Sequence, residues 1–387
     1  MPKADVIIVG GGVIGSSIAY NLLNDGFTGE IIIFEKDSTY EYASTPRSAG
    51  GIRQLFSTEI NVLISRYSIE KYLNFAEEMA VFEEKPVIDF KQRGYLLLGN
   101  KQNIKFLEKQ HEMQVRLGVP SKLLDKNDLL KLIPELNVED LEGGLFCQED
   151  GYLDPYSVLQ GYVKKTKHLG GRYIYEEVDE ILHEAGEVTG VRLTNGDVYQ
   201  APIVINCAGA WAPELCEKMG YPIPVVPLKR MITVFQTAQS LENKLPLTID
   251  PTGVYFRHEG EAIITGYAED VEPGYDFTWS SKLFYEELWH VLARRVKNFE
   301  QVKVVRGWAG LYSHNTIDQN ALIGKHPQIK GYYLACGFSG HGMQQAPAVG
   351  KGLSELIRLG KYVTIDLSPL SIERLYTNQF VKEEAYY

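Results

Sequence analysis

The sequence is short of cysteine, of basic charge and of long apolar runs. Its four cysteines, Cys147, Cys207, Cys216 and Cys336, form no CxxC and no pairing pattern. A disulfide-built secreted domain is therefore excluded, and reduced thiols in a cytoplasmic protein are the expectation. No metal site is expected. No uncharged apolar run reaches the roughly 18 residues of a membrane helix, so no membrane span is expected. The apolar opening "VIIVGGGVIGSSIAY" has no charged leader beyond Lys3 and no small-residue cleavage site, so it does not read as a signal peptide. Lys and Arg number 39 against 50 Asp and Glu, a net charge of −11. Without a basic field to draw in phosphates, nucleic acid is not an expected partner.

What is present is an ordinary globular composition, 44% hydrophobic and 23% charged over 387 residues. That length supports a large core in two domains or one elaborate one. There is no internal repeat and no low-complexity tract.

"DVIIV" (5–9) is a β-branched run ending in glycines and reads as a buried parallel strand. Helical spacing over 13–24 and a second strand, "EIIIFEK" (30–36), complete a β-α-β unit. Between strand and helix, "GGGVIG" sets Gly10, Gly12 and Gly15 in the G-x-G-x-x-G pattern, with Val13 and Ile14 opening the helix. The first glycine makes the turn, the second lets a pyrophosphate approach the backbone, and the third lets helix and strand pack. Glu35 ends the next strand, about 20 residues on, where a carboxylate accepts from ribose hydroxyls. The pattern predicts a bound dinucleotide. A nicotinamide enzyme would continue with alternating strands and helices, whereas this chain runs into "YASTPRSAGGIRQLF" (42–56), rich in small and polar residues.

Further along, the apolar positions of 58–80 predict one long helix, and "RGYLLLG" (93–99) an antiparallel strand. Residues 101–118 read as an amphipathic helix ending at Gly118, and "LLKLIP" (129–134) as the end of another. "IVINCAGAWAPEL" (203–215) returns to strand, glycine turn and helix. "MITVFQT", "GVYFRH" and "EAIITGY" are strand-like, and "LFYEELWHVLARRV" is an amphipathic helix. A second glycine cluster, "CGFSGHG", precedes a helix-like run near residue 340. The fold class expected is mixed α/β (α+β). A Rossmann-like domain is interleaved with an antiparallel-sheet domain.

The ordered series "DVIIVGGGVIGSSIAYNL", "STPRSAGGIRQLF", "EDGYLDPYSVLQGY", "VINCAGAWAPEL", "RGWAGLYSHNTIDQNALIG" and "GFSGHGMQQAPAVG" resembles the FAD-dependent amine and amino-acid oxidoreductases. That group is related to glycine oxidase, monomeric sarcosine oxidase and the β subunits of sarcosine oxidase and proline dehydrogenase. The resemblance spans nearly the whole chain and implies a discontinuous FAD-binding domain (1–85, 146–220 and 301–387) and a substrate-binding domain (86–145 and 221–300). It also implies why two glycine clusters are needed: one FAD stretches between them. Glu35 and Lys36 would lie at the adenosine ribose. Ser44, Thr45, Arg47, Ser48, Gly50 and Gly51 would line the pyrophosphate and ribityl path. Val178 would meet the adenine, and Ala208, Gly209 and Trp211 would form a further wall. Gly310, Gly337, Ser339, Gly340, His341, Gly342 and Met343 would surround the isoalloxazine, where the positive end of the following helix stabilises negative charge.

The reaction implied is hydride removal from the carbon beside an amine, with flavin as acceptor and hydrolysis of the resulting imine. Arg53 matches an arginine that clamps a substrate carboxylate. Tyr255 matches a tyrosine facing the substrate, and His314 and Gln344 are further substrate-side candidates. His341 joins Arg53 and Tyr255 as a reaction-site residue. The chain departs from its relatives at several points. Leu311 and Arg47 stand where some relatives attach the flavin through cysteine or histidine, so non-covalent FAD is expected. Gln344 replaces a lysine of the sarcosine oxidases. Ile264 stands where monomeric sarcosine oxidase has the lysine that activates oxygen. The electron acceptor, oxygen or another redox carrier, stays open, as do homo- and hetero-oligomeric states. The alternative is a flavin-binding subunit, or an assembly or scaffold protein, acting only within a larger complex.

Overall fold

The computed structural model describes residues 2–385. Its first sheet has six strands, in the order Leu322–Lys325, Tyr332–Cys336, Val204–Asn206, Val6–Val9, Ile31–Phe34 and Arg172–Ile174. All pair in parallel except Leu322–Lys325, which runs against its neighbour. The central strands are buried on both faces, which is why they read as unbroken apolar runs.

The helices Val13–Asn24 and Gly342–Leu359 lie side by side on this sheet. A Cβ on Gly350 would stand 2.3 Å from Ser17 Oγ, so the approach needs glycine there. Gly10 adopts φ +99°, and a Cβ on it would strike the Cys207 carbonyl oxygen at 2.4 Å. The chain turns out of the sheet at Gly10 because only glycine fits.

The second sheet has eight strands: Val302–Asn315, Val225–Thr237, Ala262–Gly266, Tyr255–Glu259, Leu247–Ile249, Tyr95–Asn100, Leu141–Cys147 and Lys122–Leu124. Its pairings are antiparallel apart from Leu247–Ile249 with Tyr95–Asn100. Val302–Asn315 pairs along its length with Val225–Thr237. The segment after residue 301, assigned from the sequence to the first region, thus begins with a strand of the second sheet. A three-stranded sheet (Val178–Glu184, Glu187–Leu193, Val198–Gln200) and the short pair Gly51–Ile52 with Gly151–Tyr152 are the other sheets among the described residues.

The single helix expected over 58–80 is divided at Asn74 into Glu59–Leu73 and Phe75–Glu78. Asn74 closes the first piece with its own side chain, Nδ2 donating to the Glu70 carbonyl at 3.0 Å, a local competition typical of asparagine. No helix among the described residues is long and apolar enough to cross a membrane. The four cysteines are buried and unpaired.

Candidate active site

A cavity of about 660 Å³ runs between the two large sheets. Both helix starts open on it. Gly12, Val13 and Ile14 line it at one helix, and His341, Gly342 and Met343 at the other, and neither N-cap residue, Gly12 or His341, caps its helix with its own side chain. Two converging N-termini present backbone N–H groups and positive dipole ends to one ligand, which suits a long anionic molecule.

At one group of contacts the Glu35 carboxylate accepts from Gly11 N at 2.9 Å and Asp37 N at 3.0 Å. Burial raises its pKa, and those two hydrogen bonds oppose the rise. Lys36 Nζ sits 3.8 Å from the centre of the Trp211 ring, and Trp211 stacks on Tyr275 at 5.6 Å with 16° between planes. Val178, Ala208 and Gly209 share this wall. Along the middle, Thr45 Oγ1 accepts from Val13 N at 3.3 Å, tying the second cradle to the first helix. Ser44 Oγ donates to the Leu311 carbonyl at 2.6 Å. The Arg47 side chain donates to the carbonyls of Glu41 and Ala309. Ser48, Gly51 and Gly310 line the same stretch.

The remaining group of contacts centres on the second glycine cluster. Arg53, almost fully buried, lies with its guanidinium carbon 4.2 Å from the Phe56 ring centre and 5.8 Å from that of Tyr95. Nη1 donates to the Leu55 carbonyl at 2.9 Å and Nη2 to the Ala385 carbonyl. Gln344 reaches the same residue from the helix, its Oε1 accepting from Arg53 N at 3.1 Å. Burial pushes the His341 imidazole down to about 3, and the Arg53 charge pushes the same way, so the ring is neutral. Its ring and that of Phe56 lie nearly perpendicular, centres 5.0 Å apart. Burial likewise drives the Tyr255 phenol far above its ordinary range, so it carries its proton throughout.

Most residues expected from the sequence line this cavity, and five do not: Gly15, Gly50, Gly337, Ser339 and His314. A Cβ on Gly15 would sit 2.0 Å from the Gly10 carbonyl oxygen, which is the strand–helix packing role of the third glycine. Gly50 has φ +71° and packs on the Leu153 carbonyl oxygen, where a Cβ would come within 2.2 Å. Gly337 N donates to Ser313 Oγ at 3.0 Å, and Ser339 Oγ accepts from Asn315 N at 3.0 Å. These two hold the loop's shape from behind. His314, in the strand behind the loop, bridges to Phe338, and burial, then the Arg230 charge, depresses its pKa.

Sequence reading missed Arg230, Tyr95 and Tyr312, all of which line the cavity. Arg230 Nη1 donates to the carbonyls of Lys229 and Glu269, each at 2.9 Å, and its guanidinium carbon lies 5.3 Å from the Tyr312 ring centre. The signal was strand alternation: Arg230 shares a face with the buried Ile232 and Val234, while Lys229 turns outward to Asp276.

Residues 5–356 match the family model described as "FAD dependent oxidoreductase" (DAO). The chain belongs to this family. FAD is its cofactor, and the two helix starts, the glycine turn and the buried Glu35 fit that molecule. Among curated proteins the chain is 34% identical to "FAD-dependent oxidoreductase domain-containing protein 1" of Bos taurus, over 98% of this chain and 86% of that one. Among solved structures it resembles L-proline dehydrogenase from P. horikoshii (TM-score 0.88, 30% identity, 98% of this chain and 100% of the other). It also resembles glycine oxidase from Geobacillus kaustophilus (TM-score 0.83, 25% identity, 97% and 99%). This FAD-dependent oxidoreductase therefore shares its fold with enzymes named for amino-acid substrates.

Proposed function

We propose that this oxidoreductase oxidises the C–N bond of an amino acid, with secondary amino acids such as proline or N-alkyl glycines as the first candidates. The observation that carries the reading is the pair of buried guanidiniums, Arg53 and Arg230, among the tyrosines Tyr95, Tyr255 and Tyr312 on one cavity wall. Arginines in a low-dielectric site suit a substrate carboxylate. The names of the solved relatives, proline dehydrogenase and glycine oxidase, support the same substrate class.

FAD, when bound, supplies the hydride acceptor, and imine hydrolysis follows. The chain's own residues bind, orient and exclude water. Arg53 and Arg230 hold the carboxylate, and the protonated Tyr255 donates a hydrogen bond. The apolar walls of Leu247, Ile249 and Ile232 disfavour a charged ammonium, keeping the amine neutral and reactive. The neutral His341 orders the loop and would contact the flavin. FAD is held non-covalently: Leu311 has no nucleophile, Arg47 is engaged by backbone carbonyls, and the Cys207 thiol at the glycine turn is kept protonated by burial. Ile264 is buried against Ile232 and Val234 and brings no charge of its own to the position where monomeric sarcosine oxidase has its oxygen-activating lysine, which favours a carrier other than oxygen as acceptor. In this reading the first and second sheets belong to FAD-binding and substrate-binding domains, respectively.

Comparing each amino acid with its decarboxylated amine tests the reading. Flavin reduction by the amino acid at least about tenfold faster at equal concentration, and loss of that preference in Arg53→Met and Arg230→Met, is the expected result. Equal rates for acid and amine would overturn it.

A further inference from the structure

Glu383 is fully buried, far along the chain from either glycine cluster, and no step above uses it. Its carboxylate is saturated with donors. Oε1 accepts from Ser57 N at 2.8 Å, Ser57 Oγ at 2.5 Å and Ala385 N at 3.0 Å. Oε2 accepts from Thr58 Oγ1 at 2.8 Å and Asn61 Nδ2 at 2.9 Å. Thr58 and Ser57 precede the helix Glu59–Leu73, which has no cap from its own residues. Glu383 thus supplies the anion at that N-terminus from more than three hundred residues away. Burial alone would raise its pKa, but the bonds from Ser57 and Asn61 and the Arg53 charge hold it below the ordinary carboxylate value.

The rest of the segment is docked as firmly. Glu383 N donates to the Asp318 carbonyl at 3.1 Å. Glu384 N donates to Ser57 Oγ at 2.8 Å. Asn320 Nδ2 donates to the Val381 carbonyl. Asn61 joins the clip to the flavin-side helix, since Gln345 Nε2 donates to Asn61 Oδ1 at 3.0 Å. Two residues beyond the carboxylate, the Ala385 carbonyl receives Arg53 Nη2.

We propose that the segment 381–385 is part of the substrate site, with Glu383 the positioning residue that sets Arg53 against the cavity. Glu383 touches no reacting atom. It fixes the backbone whose Ala385 carbonyl orients the guanidinium, and its charge offsets that of Arg53 in a place water does not reach. The proposal rests on the amino-acid reading above, in which Arg53 receives the substrate carboxylate.

The test is binding of benzoate to the FAD-loaded full chain, followed by perturbation of the flavin spectrum, which needs no turnover. Glu383→Ala and Glu383→Gln are each expected to weaken benzoate about tenfold while FAD stays bound. Glu383→Gln carries the test should the alanine variant fail to fold. Arg53→Ala also weakens binding, and adding Glu383→Ala to it costs nothing more, the non-additivity of a residue acting through its partner. Unchanged affinity in both Glu383 variants, or effects that simply add, would overturn the proposal. Benzoate bound by the wild type and lost in the variants, with no amino acid reducing the flavin, would uphold the positioning while overturning the amino-acid reading. A wild type that binds no carboxylate would overturn both.

Discussion

The Ser17 hydroxyl donates to the Ala346 carbonyl at 2.8 Å, across 329 residues of sequence. This bond joins the two helices whose N-termini open on the cavity, and Gly350 lets them approach. Gly350→Ala would place a Cβ 2.3 Å from Ser17 Oγ and 2.7 Å from the Ser17 carbonyl oxygen. Overpacking of this kind costs about 1–3 kcal/mol, so Tm should fall by several degrees and FAD should bind more weakly. Gly274→Ala, where nothing lies within 4 Å, should shift stability by less than about 0.5 kcal/mol. Thermal scans of the two variants check the pair.

Glu35 fixes Gly11 N–H and Asp37 N–H in a buried setting. Glu35→Ala removes that acceptor and the one a ribose hydroxyl would use. FAD affinity is expected to drop by at least about tenfold, read as cofactor released in equilibrium dialysis, with substrate preference unaltered in fully loaded enzyme.

His341 gives a pH signature. Its pKa is pushed from the ordinary 6.5 down to about 3 by burial and then by Arg53. Below 6.5 the unfolded chain takes up a proton that the folded chain refuses. This group's contribution is therefore stability lost as pH falls from about 6.5 towards 3, and none is lost above that window. His341→Asn should decline less steeply in Tm between about pH 6.5 and 4.5. His258, pushed down to about 4 by burial and Lys244, keeps its own share of the slope. A variant with the wild-type slope would show that His341 titrates normally.

Tyr255→Phe keeps the ring and removes a hydroxyl that stays protonated at every working pH. The reading gives a loss in kcat/KM of roughly tenfold, the worth of a buried hydrogen bond to a charged group. The pH–rate profile should keep its shape, since the phenol is not a base. Steady-state rates across pH would reveal any change.

The first β-α-β unit, the Glu35 position and both glycine clusters were legible because each depends on local spacing and on glycine's special backbone freedom. The strands of the second sheet were legible only in pieces. "MITVFQT" is the C-terminal half of Val225–Thr237, whose start carries Pro227, Lys229 and Arg230 and so lacks an apolar signature. Arg230 was missed for that reason, although alternation from Ile232 and Val234 puts it on their face. The break at Asn74 is set by one side-chain hydrogen bond inside an otherwise helical pattern. Glu383 was invisible because its partners, Ser57 and Asn61, meet it only after the whole chain has folded.

The most direct measurement is an anaerobic absorbance titration of the purified yellow protein with amino acids and their amine counterparts. The account predicts that the flavin band near about 450 nm is lost at least about tenfold faster with a carboxylated, secondary amine than with its decarboxylated analogue. Admission of air should then restore the band slowly, as expected with isoleucine rather than lysine at position 264. A band that persists against every amino acid would contradict the amino-acid oxidation claimed here.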